Sequence, residues 1–114
     1  MPIDISDVNE KLRRITLTGR LDVPGTEAIV IKFAAAATAG GRRVVVDLTA
    51  VSFLGSIGIR ALISNAKAAQ SNGERMVLFI GGNETVAKTL QTTGIDALIP
   101  MFADATEAEK AALN

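Results

Sequence analysis

Residues Asp47–Ile59, near the middle of the chain, read DLTAVSFLGSIGI. Directly before them stand Val44–Val46, a continuous run of β-branched residues. Such a run predicts a central strand that is buried on both faces. After this strand ends at Leu48, a short apolar patch follows (Val51, Phe53, Leu54). Gly55–Gly58 then opens a helix that is predicted to continue to Ser71, where Asn72 and Gly73 end it. The stretch therefore predicts a corner between a strand and a helix.

On the amino-terminal side, two segments alternate apolar and polar residues, Ile3–Val8 and Leu12–Leu21. This period-2 pattern is typical of strands, and the polar residues 9–11 between them predict a hairpin. Pro24 and Gly25 interrupt the strand pattern. The alanine-rich run Thr26–Ala39 then predicts a helix that stops at Gly40.

On the carboxyl-terminal side, Met76–Ile80 is a second continuous apolar strand. Asn83 is a favoured helix N-cap, and it predicts a third helix that runs through Thr92. A last short strand is expected within Ile95–Phe102, and a terminal helix over Asp104–Leu113.

The predicted order is thus β-β-α-β-α-β-α-β-α. Alternation of strands and helices after a hairpin predicts an α/β fold in which a mixed β-sheet packs against about four helices. The length of 114 residues is typical of one domain, so a single domain over residues 1–114 is expected.

Composition excludes several classes of function. The chain has no Cys and no His, which removes disulfides, thiol nucleophiles, imidazole bases and the common zinc sites. It has no Trp and no Tyr, and its formal net charge is +0, so neither base stacking nor charge favours nucleic-acid binding. We expect a cytoplasmic binding protein that is not an enzyme, needs no metal or cofactor, and does not insert into a membrane.

Ser56 is the residue of most interest. Serine is favoured at a helix start because its oxygen can accept a free backbone N–H, so a capping role is the simpler interpretation. The same position suits a phosphoserine, since free N–H groups and the helix dipole stabilise a phosphate there. Gly55 and Gly58 would leave space for another protein to approach, and Arg60 could pair with the phosphate.

Three segments resemble the STAS-domain anti-sigma factor antagonists. Asp47–Leu62 resembles their signature, in which Asp-Leu-Ser/Thr is followed by an aromatic residue, Leu or Met, and then by Ser and Gly at a helix start. Gly19–Asp22 matches their Gly-x-Leu-Asp corner, and Thr93–Pro100 resembles their turn into the last strand. The resemblance covers nearly the whole chain and implies a STAS-type fold.

The resemblance also implies a mechanism. In this family the unphosphorylated protein binds an anti-sigma factor that is also a serine kinase of the GHKL type, and phosphorylation releases it. A metal-dependent phosphatase of the PP2C type resets the switch. Ser56 would be the phosphorylated residue, although the family usually has an acidic residue and a Ser or Thr where this chain has Gly55 and Ile57. The expected partner-binding residues lie at the start of the second helix and at the preceding corner: Asp22, Gly55, Ser56, Ile57, Gly58, Arg60, Ala61 and Ser64.

Other functions are less consistent with the sequence. Leu54–Gly58 resembles the nucleophile elbow of hydrolases, but the pattern needs glycine at position 54 and the chain has no His to act as base. Gly81–Asn83 could bind an anion, and Asp22 with Asp47 could hold a metal, although a capping or turn role is simpler for each. The main alternative is a STAS accessory or scaffold subunit without a phosphorylation switch, in a lipid transporter, a stress-sensing complex or a secretion regulator. The hairpin could also leave an edge strand for pairing with a second copy.

Overall fold

The computed structural model describes residues 2–114. Its strands are β1 (Ile3–Asp7), β2 (Leu12–Leu21), β3 (Arg43–Leu54), β4 (Met76–Phe79) and β5 (Met101–Phe102). Its helices are α1 (Val23–Thr38), α2 (Ser56–Ser71), α3 (Glu84–Thr93) and α4 (Ala105–Leu113), with a short 3-10 turn at Ile95–Ala97. The predicted α/β class and the order of the elements are confirmed.

The five strands form one sheet in the order β1-β2-β3-β4-β5. The hairpin β1–β2 is antiparallel, as predicted, and the pairs β2–β3, β3–β4 and β4–β5 are parallel. Parallel neighbours place the carboxyl ends of β2 and β3 at one edge of the sheet, so α1 and α2 both begin there.

Helices cover the sheet on two sides. The larger hydrophobic cluster joins α1, α2 and α3 to one face, while Ala108 and Ala112 of α4 pack with Leu12, Val45 and Val77 on the other. Successive residues of β3 point to opposite faces, and Val44–Val46 are all at most 1% exposed. The prediction of a strand buried on both faces is confirmed.

Strand β3 is longer than predicted, because the apolar patch after Leu48 continues it to Leu54. The pairing of β3 with β2 shifts register between Thr16 and Thr18 and again between Gly19 and Arg20, and each shift gives β3 one extra residue. Beyond Asp47 the strand no longer pairs with β4. The side-chain amide of Asn83 takes that place and donates to the carbonyl oxygens of Leu48 and Val51, at 2.9 and 2.8 Å.

Helix α1 begins at Val23 rather than at Thr26, because Asp22 caps it and Pro24 occupies its first turn. Its last turn contains no basic residue, but Arg13 from β2 donates to the carbonyl oxygen of Ala36 at 3.0 Å. Arg43 and Arg75 likewise donate to Leu113 and Ala111 at the end of α4, at 2.8 and 3.0 Å. Arginines from the amino ends of the strands therefore cap helix carboxyl ends.

Within residues 2–114, no helix combines the length and the apolar character that crossing a bilayer requires.

Candidate functional site

The candidate site lies where the carboxyl ends of β2 and β3 meet. The backbone N–H of Gly55 donates to the carbonyl oxygen of Leu21 at 3.0 Å, which joins the corner before α1 to the corner before α2. Two of the segments singled out in the sequence, Gly19–Asp22 and Asp47–Leu62, are thereby brought together.

Ser56 is exposed and is the first residue of α2. The N-cap is Gly55, which has no side chain to accept a hydrogen bond, so the interpretation of Ser56 as the cap is wrong. In each of the other three α-helices of the described chain, the side chain of the N-cap residue accepts a hydrogen bond from a backbone N–H of the first turn. These N-cap residues are Asp22, Asn83 and Asp104. The first N–H groups of α2 are therefore left without a side-chain cap, next to the hydroxyl group of Ser56.

The two glycines beside Ser56 differ in their surroundings. Gly58 is buried, and a Cβ atom there would lie 2.8 Å from Leu21 Cβ and 3.0 Å from Leu21 O. Its lack of a side chain lets α2 pack closely on the end of β2. Gly55 is half-buried, and a Cβ atom there would lie 3.1 Å from the ring of Phe53. Of the two, Gly55 is the one beside the accessible surface.

Asp22 lies at the same edge and has two partners. Its carboxylate accepts from the backbone N–H of Gly25 at 2.9 Å and pairs with Arg20 at 3.2 Å. The hydrogen bond from Gly25, supported by Arg20, holds the pKa of the Asp22 carboxyl group below its usual value of 3.8. Asp22 is thus a charged helix cap, which agrees with its simpler sequence interpretation.

Arg20 and Phe53 belong to this surface, and the sequence reasoning did not select either of them. The Arg20 guanidinium lies over the Phe53 ring, 4.4 Å from its centroid, and Phe53 is 39% exposed. Val23, at the start of α1, is 54% exposed. Aromatic and arginine side chains are enriched in protein–protein interfaces relative to the rest of the surface. The sequence did offer a signal for Phe53, because it is one of only four aromatic residues in the chain and lies three positions before Ser56.

The remaining predicted contact residues line a groove between α1 and α2. Arg60 and Ser64 are exposed, and Ile57 and Ala61 are half-buried. The opposite wall comes from α1, which the sequence reasoning left out. The full lining is Thr26, Glu27, Val30, Ala34, Ile57, Arg60, Ala61, Ser64 and Asn65.

The alternative sites have structural explanations. Asp47 is 8% exposed and accepts from the N–H and the hydroxyl group of Thr49 at 2.9 and 2.7 Å, so it orders the strand. Asn83 caps α3 and holds β3. Among residues 2–114 there is no group of three or more acidic side chains placed to hold a metal ion.

Comparisons with known proteins agree with this architecture. A family model described as STAS domain matches residues 5–108. The anti-sigma factor antagonist of Mycobacterium paratuberculosis is similar with a TM-score of 0.86 at 20% identity, over 98% of this chain and 93% of its own. An anti-sigma-factor antagonist (STAS) domain protein of Planctomyces limnophilus is similar with a TM-score of 0.79 at 27% identity, over 96% of each chain.

The phosphorylated form of the Bacillus cell fate determinant SpoIIAA is also similar. Its TM-score is 0.69 at 21% identity, over 96% of this chain and 97% of its own. No curated protein sequence matches the chain.

Proposed function

The chain belongs to the STAS domain family, and from this premise we propose that it is an anti-sigma factor antagonist whose partner binding is switched by phosphorylation of Ser56. The unmodified protein binds an anti-sigma factor that is also a serine kinase of the GHKL type. Phosphorylation of Ser56 by that kinase releases the protein from the complex. A PP2C-type phosphatase then removes the phosphate, so that the protein can bind again. The protein itself has no catalytic role and works in the cytoplasm.

The observation that carries this proposal is the exposed Ser56 at the uncapped start of α2. A kinase can reach the hydroxyl group without unfolding the helix. The product is stabilised, because a phosphate at a helix start accepts from free N–H groups and faces the positive end of the dipole. The modified protein therefore keeps its fold while its surface charge changes by about −1.5 to −2 at neutral pH.

The proposed release follows from what surrounds Ser56. Phe53 and Val23 are exposed apolar side chains at the same edge, and Ile57 is half-buried beside it. Such a surface is suited to close packing against a partner, where a doubly charged group would have to lose its hydration. Like charges brought together at such an interface cost roughly several kcal/mol. The anti-sigma factor antagonists similar to this chain, one of them solved in a phosphorylated form, support the proposal.

The first test is phosphorylation in vitro. Incubation with each GHKL-type anti-sigma kinase of the source organism and ATP should add one phosphate, measured by intact mass. Ser56→Ala should abolish the addition, and Ser52→Ala, an exposed serine of β3, should leave it unchanged. If an active kinase modifies the Ser56→Ala variant as well as the wild type, the assignment of the site is wrong.

The second test measures binding to the same kinase by isothermal titration calorimetry. Ser56→Ala should bind as the wild type does, and Ser56→Asp should bind at least about tenfold more weakly. Full-strength binding of Ser56→Asp, together with full-strength binding of stoichiometrically phosphorylated protein, would contradict release by charge.

The alternative, a STAS accessory or scaffold subunit without a switch, rests on the two residues that flank Ser56. Gly55 and Ile57 replace the acidic residue and the Ser or Thr that the family usually has there. Under this alternative the same surface binds a complex such as a lipid transporter, and no kinase modifies it. Affinity isolation of the tagged protein from native membranes and cytosol separates the two, since a membrane ATPase in place of a kinase favours the accessory role.

A further inference from the structure

The outer side of α1 exposes more apolar surface than a solvated helix needs. Ile31 is 84% exposed, Val23 is 54% exposed and Val30 is 39% exposed. The charged residues exposed on this helix are Glu27 and Lys32. A scattered exposed apolar residue needs no explanation, but several on one helix face indicate an interaction surface.

This face has a raised part and a recessed part side by side. The raised part, called here the α1 ridge, consists of the exposed residues Ala28, Ile31 and Ala35, which share one face at helical spacing. The recessed part is the α1–α2 groove, whose apolar lining includes Val30, Ala34, Ile57 and Ala61. Ridge residues and groove residues alternate along the same helix, so the two parts adjoin.

We propose that this face binds a second copy of the chain, with the α1 ridge of each copy seated in the α1–α2 groove of the other. A twofold dimer needs a patch that is complementary to itself, and a ridge that adjoins a groove on one face meets that condition. Ile31 is the central contact, because it is the most exposed large apolar side chain of the described chain.

The charges on the face suit the same occupant. Glu27 lines the groove on the α1 side, Arg60 lines it on the α2 side, and Lys32 is exposed beside the ridge. A surface that carries both signs offers opposite charges to its own copy, and the formal net charge of +0 adds no general repulsion between copies.

The β1 edge is less suited to self-pairing than the hairpin suggested. Asp4, Ser6 and Asp7 are exposed on a strand of five residues. Antiparallel pairing of two such edges would bring carboxylates close together, and short charged edge strands are a common means of preventing pairing. The structure therefore favours α1 over β1 as the contact between copies.

The groove shares Ile57, Arg60, Ala61 and Ser64 with the surface assigned to the kinase partner. Dimer formation and kinase binding would then exclude each other, and this one consequence depends on the proposed function. The dimer itself does not depend on it.

Sedimentation velocity of the full chain, from about 1 μM to about 1 mM, tests the dimer. The wild type should pass from monomer to dimer in this range, and Ile31→Glu should raise the dissociation constant at least about tenfold. Leu98→Glu, at a position 67% exposed outside the face, is the matched control and should dimerise as the wild type does. Both positions are exposed, and circular dichroism of each variant verifies that it is folded.

Three results would overturn the inference. They are a wild type that stays monomeric at all concentrations, a dimer that Ile31→Glu leaves unchanged, or an equal rise of the dissociation constant in Ile31→Glu and Leu98→Glu. Ala34→Arg, which fills the groove, gives a second reading and should also dissociate the dimer. The N–H of Asp7 lies on the unpaired side of β1, so a dimer that Asp7→Pro abolishes while Ile31→Glu keeps it would assign the contact to the β1 edge instead. Kinase binding by a monomeric wild type would leave the proposed function intact while removing this inference.

Discussion

Among single residues, Thr26 is unusual because its hydroxyl group is buried without a partner. The residue is 2% exposed on α1, beneath the groove, and its Oγ1 atom has no hydrogen-bond partner within residues 2–114. Thr38 on the same helix differs, since its hydroxyl group donates to the carbonyl oxygen of Ala34 at 2.8 Å. A buried hydroxyl group without a partner loses its hydration and gains nothing in return.

We therefore expect Thr26→Val to raise the free energy of unfolding by about 1 kcal/mol, because valine keeps the shape and removes the unpaired polar atom. Thr38→Val should instead lower the free energy of unfolding by about 0.5 kcal/mol, since a hydrogen bond is lost. Urea denaturation of both variants measures the difference. A loss of stability in Thr26→Val as large as that in Thr38→Val would mean that the Thr26 hydroxyl group has a partner.

Among the elements, β3 depends on a side chain from another part of the fold. Its second half pairs with β2 on one side, while on the other side Asn83 donates to the carbonyl oxygens of Leu48 and Val51. The same side chain caps α3 by accepting from Val86 N at 3.2 Å. Asp104 caps α4 in the same way, through Glu107 N at 2.9 Å, and provides a natural comparison.

Asn83→Ala should lower the free energy of unfolding by about 3 kcal/mol, because it removes a cap and leaves two buried carbonyl groups without that donor. Asp104→Ala removes a cap alone and should cost about 1 kcal/mol. Chemical denaturation of the two variants tests this, and hydrogen exchange should show faster exchange in residues 48–54 only for Asn83→Ala. Equal losses of stability would contradict the role of Asn83 in holding β3.

In the whole molecule, the response of stability to pH should come from carboxylates. The chain has no His and no Cys, the side chains whose usual pKa values lie between about 6 and 9. A hydrogen bond from Arg13 holds the pKa of the Asp7 carboxyl group below its usual value of 3.8. The pKa of the Asp22 carboxyl group is also lowered, chiefly by the hydrogen bond from Gly25. A group whose pKa is lowered by folding stabilises the folded state above its unfolded pKa, and this contribution is lost as the pH falls through the folded pKa.

The urea midpoint should accordingly stay nearly constant from about pH 6 to about pH 8 and fall below about pH 4. Asp7→Asn should be less stable than the wild type at neutral pH and should lose less stability on acidification. Asp4→Asn, on the same strand, makes the same change of charge at a residue without an ion pair in the described chain and serves as the control. A midpoint that changes steeply between pH 6 and pH 8 would contradict this assignment.

Local sequence determined which segments form strands and helices, and where several of them stop. The alternation in Ile3–Val8, the apolar run Val44–Val46 and the cap Asn83 each act over a few residues, so they can be read without knowing the fold. Ser56 was also placed correctly at the start of α2. Its use as a phosphorylation site remains a proposal, because accessibility to a kinase is a property of two proteins.

Tertiary structure alone decided the features that join distant residues. A Cβ atom at Gly25 would lie 1.8 Å from Arg20 O, so a residue that the sequence marked only as a break is required by a backbone contact. Asn83 holds carbonyl groups of β3, and Arg43 caps α4 at the far end of the chain. The α1–α2 groove has one wall from each helix, and only the α2 wall was expected. Such contacts depend on how the elements pack in space, and local periodicity carries no information about that packing.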